Sequence, residues 1–273
     1  MHGLEGKRVA VTGPRRSDQL SKLIEKMGGI PIIRPAQGTV YLEGSDVSVQ
    51  IADFMKGDFD WLILTTGIGT DLLCKHAESA GLLEPFLEKL KQLKVAARGY
   101  KTVNLVKRLG IEPTVRDDDG TTSGIIRAMA DFELSGCRIA IQNYGDSLPH
   151  LTEWLSSRGA TYEELLPYRH VPPEQETLSL LISEMLNGSI DAVAFTSTPQ
   201  VKFLFQYAQE TGQADQLLHA FHGPVVALAV GKVTAEALRS QGVQRILAPE
   251  EQRMGSMVHL LADYYAQGGS TAQ

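Results

Sequence analysis

Residues 60–66 read Asp-Trp-Leu-Ile-Leu-Thr-Thr, and residues 191–197 read Asp-Ala-Val-Ala-Phe-Thr-Ser. Each stretch is a short apolar run that ends in two hydroxyl residues and precedes an amphipathic segment. Such a run before a helical pattern predicts a buried strand that leads into a helix, which is the repeating unit of parallel α/β sheets. The two stretches therefore predict two copies of one strand–helix unit.

The duplication continues on both sides of these strands. Val9–Val11 matches Ile139–Ile141 at a separation of 130 residues, and the two quoted stretches are separated by 131. At a separation of 132, Gly99-x-x-Thr102 matches Gly231-x-x-Thr234, and at nearly the same separation the helical pattern of 122–132 matches that of 254–265. We therefore predict an α/β fold of two similar domains, flavodoxin-like and bilobed, whose parallel sheets are flanked by helices.

Two proline-containing stretches interrupt the alternation of strands and helices. They are Arg34–Gly38 and Pro167–Pro173, at matching places in the two copies. Because proline fixes φ, lacks an amide hydrogen and restricts the residue before it, neither stretch fits inside a helix. We predict that both are extended connectors that join the domains.

The composition excludes several classes of protein. The 273 residues suffice for two domains, and 43% hydrophobic with 21% charged residues is typical of a globular protein. A net charge of −6 without a cluster of basic residues argues against nucleic-acid binding. No signal-peptide pattern and no run of about 20 apolar residues is present, so we expect a cytoplasmic protein without membrane contact. Cys74 and Cys137 are too few for a disulfide framework and are predicted to be small core residues.

The turns that follow the predicted strands share a composition of threonine, serine and glycine. In open α/β sheets, ligands bind beyond the carboxyl ends of the strands, here expected in a cleft between the domains. Helix N-termini at such turns attract anions. The same residues are also ordinary helix caps, so each turn taken alone leaves both interpretations open. Their repetition at one end of both sheets favours a surface that binds several carboxylates. The turns are Thr12–Arg15, Thr65–Gly67, Arg98–Thr102, Asn143–Gly145, Thr196–Thr198 and Gly231–Thr234.

From Lys7 to about Tyr265 the order and spacing of these pieces resemble the uroporphyrinogen-III synthase family. The most specific pieces are Phe195-Thr196-Ser197 and Gly231-x-x-Thr234-Ala235-x-x-Leu238-x-x-x-Gly242. Val11-Thr12 with Pro14-Arg15, and Tyr168 in the second connector, agree with the resemblance. Members of the family usually carry Thr-Arg-Pro where this chain has Thr12-Gly13-Pro14, so Arg15 or Arg16 is expected to replace that arginine.

The resemblance implies a domain arrangement in which the chain crosses over twice. One domain would combine residues 1–35 with 173–265, and the other would hold residues 38–166. Residues 36–37 and 167–172 would be the connectors, and 266–273 would be a flexible tail.

The resemblance also implies the activity. Family members cyclise hydroxymethylbilane to uroporphyrinogen III in tetrapyrrole and heme biosynthesis, with loss of water and inversion of ring D. The chain would then be a lyase that uses no cofactor and no metal, and is expected to be a monomer that receives its substrate from hydroxymethylbilane synthase. The alternative is a non-catalytic regulator that binds a tetrapyrrole or another anion on the same scaffold.

The resemblance implies that Tyr168 assists the loss of the hydroxyl group, since a protonated phenol can donate a proton to it. A tyrosine that only packs at a domain junction is the alternative. The predicted substrate-binding residues supply cations, hydroxyls or backbone amides at the turns. Solvated surface charges and simple helix caps remain the alternatives for them. They are Arg15, Thr66, Arg98, Tyr100, Lys101, Thr122, Ser123, Gly145, Thr196, Ser197, Gly231, Lys232 and Thr234.

Overall fold

The computed structural model describes residues 3–14, 16–41, 45–143, 145 and 148–269 of the chain. The chain divides into two compact units. Unit 1 consists of Met1–Gly38 with Val171–Gln273, and unit 2 of Thr39–His170. Arg15, one of the predicted substrate-binding residues, lies outside the described residues.

Strands and helices alternate along most of the chain. The strands are β1 (Arg8–Val11), β2 (Ile30–Ile33), β3 (Gly38–Tyr41), β4 (Trp61–Leu64), β5 (Lys94–Ala97), β6 (Val115–Arg116), β7 (Arg138–Gln142), β8 (Thr161–Leu165), β9 (Tyr168–Val171), β10 (Ala192–Phe195), β11 (Val226–Ala229) and β12 (Ile246–Leu247). The helices are α1 (Ser17–Lys26), α2 (Ser45–Lys56), α3 (Gly67–Ser79), α4 (Leu83–Gln92), α5 (Tyr100–Arg108), α6 (Thr122–Met129), α7 (Pro149–Ser157), α8 (Gln175–Leu186), α9 (Thr198–Glu210), α10 (Ala214–His222), α11 (Lys232–Ser240) and α12 (Met254–Ala266).

Each unit contains a five-stranded parallel sheet within its described residues. The order is β12-β11-β10-β1-β2 in unit 1 and β6-β5-β4-β7-β8 in unit 2. The sequence duplication equates β1 with β7 and β10 with β4, and under that correspondence the two orders are the same. The predicted α/β class, with two parallel sheets flanked by helices, is confirmed. The second predicted connector contains β9, which pairs with β3, the strand that follows the first connector.

Both faces of each sheet are covered, which explains why the strands are almost entirely apolar. In unit 2, Leu62 and Leu64 pack with Phe86 in the core on one face. Trp61 and Ile63 belong to a second core on the other face, because successive side chains of a strand point to opposite sides. Unit 1 is built in the same way, with separate cores on its two faces.

The duplication also appears in a contact at the amino ends of the strands. The Arg138 backbone N–H donates to Asp60 Oδ2 at 2.8 Å, and the Arg8 backbone N–H donates to Asp191 Oδ2 at the same distance. Burial of Asp191 favours the neutral acid, but hydrogen bonds from the Arg8 side chain and backbone outweigh it and lower the pKa of that carboxyl. Asp191 is therefore ionised at neutral pH and joins β10 to β1.

Several finer expectations are changed by the structure. The helix expected over 122–132 ends at Met129, and the turn before it is ordered by side-chain contacts. Asp117 Oδ1 accepts from the Gly99 N–H at 2.6 Å, and Asp119 Oδ1 accepts from both the amide and the hydroxyl of Thr121. Cys74 and Cys137 are half-buried free thiols rather than full core residues. Across the described ranges, no helix combines the length and apolarity that crossing a membrane requires.

Candidate functional site

In unit 2, several of the predicted site residues lie where the neighbouring strands β4 and β7 end. From β4 the chain proceeds outward through β5 and β6, and from β7 it proceeds to β8 on the opposite side. Such a reversal of strand order opens a crevice beyond the carboxyl ends of the two central strands, and ligands of open α/β sheets bind there. Leu64 is in register with Gln142, so Thr65, Thr66 and Gln142 lie together at this edge of the sheet.

Thr66 is the N-cap of α3, with extended backbone angles of φ −145° and ψ 141°. Its Oγ1 accepts from the Gly69 N–H at 3.1 Å, as a capping hydroxyl does. The same oxygen lies 3.2 Å from Tyr168 Oη. Thr66 therefore caps a helix and also contacts the predicted proton donor.

Gln142 is a buried polar residue that the sequence analysis did not single out. Its Oε1 accepts from the backbone N–H groups of Thr65 and Thr66 at 3.2 and 3.1 Å. In return the Thr65 hydroxyl donates to the Gln142 carbonyl at 2.7 Å. The signal that would have found it is a single amide side chain closing the apolar run Ile139–Ile141 just before the turn. Gln142 holds the turn after β4 in place.

Arg98 connects two of the predicted turns. Its Nε donates to the Thr65 carbonyl at 3.1 Å, and its Nη1 donates to Thr122 Oγ1 at 2.8 Å. Thr122 was expected to be a possible helix cap, but Thr121 caps α6 by accepting from the Gly124 N–H at 2.9 Å. The Thr122 hydroxyl is instead positioned against Arg98. The structure thus joins Tyr168, Thr66, Arg98 and Thr122 by way of the turn after β4.

The other predicted residues of the α5 and α6 starts are exposed. Tyr100 is 65% exposed, and the Lys101 ammonium lies 5.7 Å from the centre of its ring. Ser123 is exposed at the second position of α6. A methyl group on Gly67 would lie 3.3 Å from the Lys101 carbonyl, so the starts of α3 and α5 are in close contact. Exposed cations beside helix N-termini suit carboxylate groups.

Tyr168 begins β9 and is 3% exposed. Its ring packs edge-on against His170, with the ring centres 5.3 Å apart. Gly145 has a φ of +87°, and a methyl group on it would lie 2.9 Å from the backbone nitrogen of His170. Glycine is therefore required where the turn after β7 approaches β9. The burial of the ring fits a packing tyrosine, whereas the position of its oxygen beside Thr66 fits a role at the strand ends.

Unit 1 repeats the arrangement with different residues. Gln200 Oε1 accepts from the Thr196 N–H at 2.7 Å and from the Thr12 hydroxyl at 2.8 Å. The Ser197 hydroxyl does not cap α9 but donates to Gln37 Oε1. Thr234 is buried within the first turn of α11. These contacts place the predicted hydroxyl residues of unit 1 at the carboxyl edge of its sheet.

Gly231 and Lys232 begin α11 of unit 1. Gly231 is the N-cap and has an extended backbone, and a methyl group on it would lie 2.7 Å from Gln252 Cγ. Lys232 is exposed. Within the described parts of the chain, no group of three or more histidine, cysteine or acidic residues is arranged to hold a metal.

Comparison with known proteins gives a consistent result. The family model described as uroporphyrinogen-III synthase HemD matches residues 18–259. Among solved structures, a mutant uroporphyrinogen III synthase from the extremely thermophilic bacterium Thermus thermophilus aligns with a TM-score of 0.82 and 34% identity, over 96% of this chain and all of that one (100%). The similarity covers both units.

Two sequence relatives add to this result. The uncharacterized protein YjjA of Bacillus subtilis strain 168 is 46% identical over 265 residues, which are 97% of this chain and 98% of that protein. The uroporphyrinogen-III synthase of Chlorobaculum parvum is 27% identical over 169 residues, 60% of this chain and 63% of that protein.

Proposed function

The chain belongs to the uroporphyrinogen-III synthase family, and on that premise we propose that it converts hydroxymethylbilane to uroporphyrinogen III. The observation that carries the proposal is the linked set of Thr66, Tyr168, Arg98 and Thr122 at the carboxyl end of the unit 2 sheet. It combines a phenol, two hydroxyls and a guanidinium at the place where a sheet of this type binds its ligand.

The reaction needs a proton donor first. The terminal hydroxyl of the bilane takes up a proton and leaves as water, which generates an electrophilic azafulvene on ring A. Ring D attacks through the carbon that already carries the bridge to ring C, and a spiro intermediate forms. The bond between that carbon and the bridge then breaks, the other α-carbon of ring D joins the bridge, and a proton is lost. Substrate and product therefore differ by one water molecule.

Tyr168 is the proposed donor of the first proton. A phenol is protonated at neutral pH and can transfer or share its proton with a leaving hydroxyl. Thr66 is proposed to hold the phenol oxygen in position through their 3.2 Å contact. Because unassisted closure gives the uninverted isomer, the remaining task of the protein is to orient the chain of four rings, a contribution of the proximity type.

The carboxylates of the bilane are proposed to be bound by the turns. In unit 2 the starts of α3, α5 and α6 supply backbone amides, and Arg98 and Lys101 supply positive charge. In unit 1 the corresponding groups are Thr196, Ser197, Gly231, Lys232 and Thr234. Residues 36–37 and 167–172, the predicted connectors, are proposed to act as a hinge between domains assigned as in the family.

The test is a coupled assay in which hydroxymethylbilane is generated in situ and the products are oxidised and separated into type I and type III porphyrins. We expect type III porphyrin in proportion to the amount of protein. Arg98→Ala should raise KM by about tenfold or more, since a hydrogen bond to a charged group is worth about 1.5–3 kcal/mol. Arg239→Ala, which removes an exposed arginine in the last turn of α11, far along the helix from its proposed binding start, is the control and should leave KM unchanged. Type I porphyrin at the spontaneous rate would leave the non-catalytic regulator as the function.

A further inference from the structure

The orientation of the Gln142 side chain is fixed by its neighbours. Gln142 is fully buried, and the oxygen of its amide faces the backbone N–H groups of Thr65 and Thr66. A backbone N–H can only donate, so the atom that faces both must be the oxygen and not the nitrogen. The amide nitrogen is thereby directed to the Asn143 carbonyl and to Thr66 Oγ1, the latter at 3.4 Å.

This orientation decides which way the proton of Thr66 points. A hydroxyl has two lone pairs and one proton. Thr66 Oγ1 accepts from the Gly69 N–H at 3.1 Å and from Gln142 Nε2, so both lone pairs are used. The remaining neighbour of Oγ1 is Tyr168 Oη at 3.2 Å, and only the proton of Thr66 is left for that contact.

We infer that Gln142 is a positioning residue that makes Thr66 the donor and Tyr168 the acceptor in their hydrogen bond. The proton of Tyr168 is then directed away from Thr66. This inference rests on the proposed function, because there Tyr168 must give its proton to the leaving hydroxyl of the substrate. A hydrogen bond donated by Thr66 also stabilises the phenolate that remains after the transfer.

The direction of this bond has a measurable consequence in the protein without substrate. The chain contains eight tyrosines, and all can be replaced biosynthetically by 3-fluorotyrosine, whose phenol ionises at lower pH. The fluorine resonance of position 168 is assigned by its loss in Tyr168→Phe. Its titration midpoint is then compared between the unmodified sequence and Thr66→Val, with Thr66→Ser as the variant that retains the hydroxyl.

If Thr66 donates, its loss removes stabilisation of the phenolate, and the midpoint in Thr66→Val rises by about 1 pH unit. If Tyr168 were the donor, Thr66 would stabilise the neutral phenol as well as the phenolate, and the midpoint would fall or stay nearly unchanged. A fall or no change therefore overturns the inference. Thr66→Ser is expected to keep the original midpoint.

Gln142→Met tests the positioning role itself. It removes the amide N–H that occupies Thr66 Oγ1, so the midpoint is expected to rise as in Thr66→Val. Gln200→Met is the matched control, because Gln200 is equally buried and accepts a similar backbone bond in unit 1. It should leave the midpoint unchanged, and an unchanged midpoint in Gln142→Met would refute the role of Gln142.

The outcomes separate this inference from the proposed function. The titration requires no substrate, so it can succeed in a protein that makes no type III porphyrin. Conversely, if the protein makes type III porphyrin but the midpoint falls in Thr66→Val, the proposed function is upheld and the inference is refuted. Should Gln142→Met fail to fold, the sign of the change in Thr66→Val still decides the direction of the bond.

Discussion

Gly69→Ala is the substitution whose effect the structure determines most sharply. Gly69 lies in the first turn of α3, where alanine normally stabilises a helix by about 1 kcal/mol relative to glycine. A methyl group at this position would overlap the side-chain amide of Gln142, with Oε1 only 2.9 Å away. The Gln142 side chain would have to move to make room for the methyl group. Because Gln142 is fully buried and hydrogen-bonded, that movement breaks its hydrogen bonds.

The expected cost follows from the bonds that Gln142 makes. Its displacement leaves the N–H groups of Thr65 and Thr66 without their acceptor, at about 1–3 kcal/mol each. After the gain in helix propensity is subtracted, we expect Gly69→Ala to lower the free energy of unfolding of unit 2 by about 3 kcal/mol. In a Gln142→Ala background the obstacle is gone, and the same substitution should stabilise by about 1 kcal/mol.

Urea denaturation followed by tryptophan fluorescence measures this cycle. The chain has two tryptophans, Trp61 and Trp154, and both lie in unit 2, so the signal reports the unfolding of that unit. The change of sign between the two backgrounds is the decisive result. If Gly69→Ala stabilised the protein in both backgrounds, the role of Gln142 in holding the turn after β4 in place would be refuted.

Three further predictions concern single side chains. Tyr168→Phe should lower kcat at least tenfold while Tm stays nearly constant, because only one hydroxyl is removed; unchanged kcat in the coupled assay would remove its chemical role. Since the pKa of Asp191 is lowered, its contribution to stability is present above the ordinary value and is lost as the pH falls below about 4. Urea denaturation followed by circular dichroism should show this loss in the unmodified chain but not in Asp191→Asn. If the free energy of unfolding fell equally steeply with pH in both proteins, the prediction would be contradicted. Burial, assisted by Asp71, raises the pKa of Cys74 to about 11, so a chain carrying Cys137→Ser should react with a disulfide reagent at neutral pH about 100-fold more slowly when folded than when denatured. Labelling of the folded protein as fast as that of the denatured protein would contradict the raised pKa of Cys74.

The fold was predictable because its signal is local and repeated. The runs Trp61–Leu64 and Ala192–Phe195 are short and apolar and end at turn residues, which favours buried strands, and the helical patterns that follow them favour parallel sheets. The crossing of the chain between units was not contained in the periodicity. It depends on which strands pair over long separations, and the resemblance to a family supplied it.

The hydroxyl residues of the site were predictable from their position at strand ends, but their partners were not. The separation of 131 equates Gly69 with Gln200, and the separation of 130 equates Gln142 with Thr12. In each unit one glutamine accepts the backbone N–H of the turn, yet it comes from the strand in unit 2 and from the helix in unit 1. A small residue occupies the other position of each pair. The exchange is recognisable only when both positions are seen in contact.

The central claim is that the protein inverts ring D. The most direct test uses hydroxymethylbilane labelled with ¹³C at the bridge between rings C and D and at the ring D carbon bonded to it. Inversion breaks the bond between the two labels, so we predict that their one-bond coupling is absent from the NMR spectrum of the enzymatic product. A product that retains the coupling would show closure without inversion and would contradict the claim.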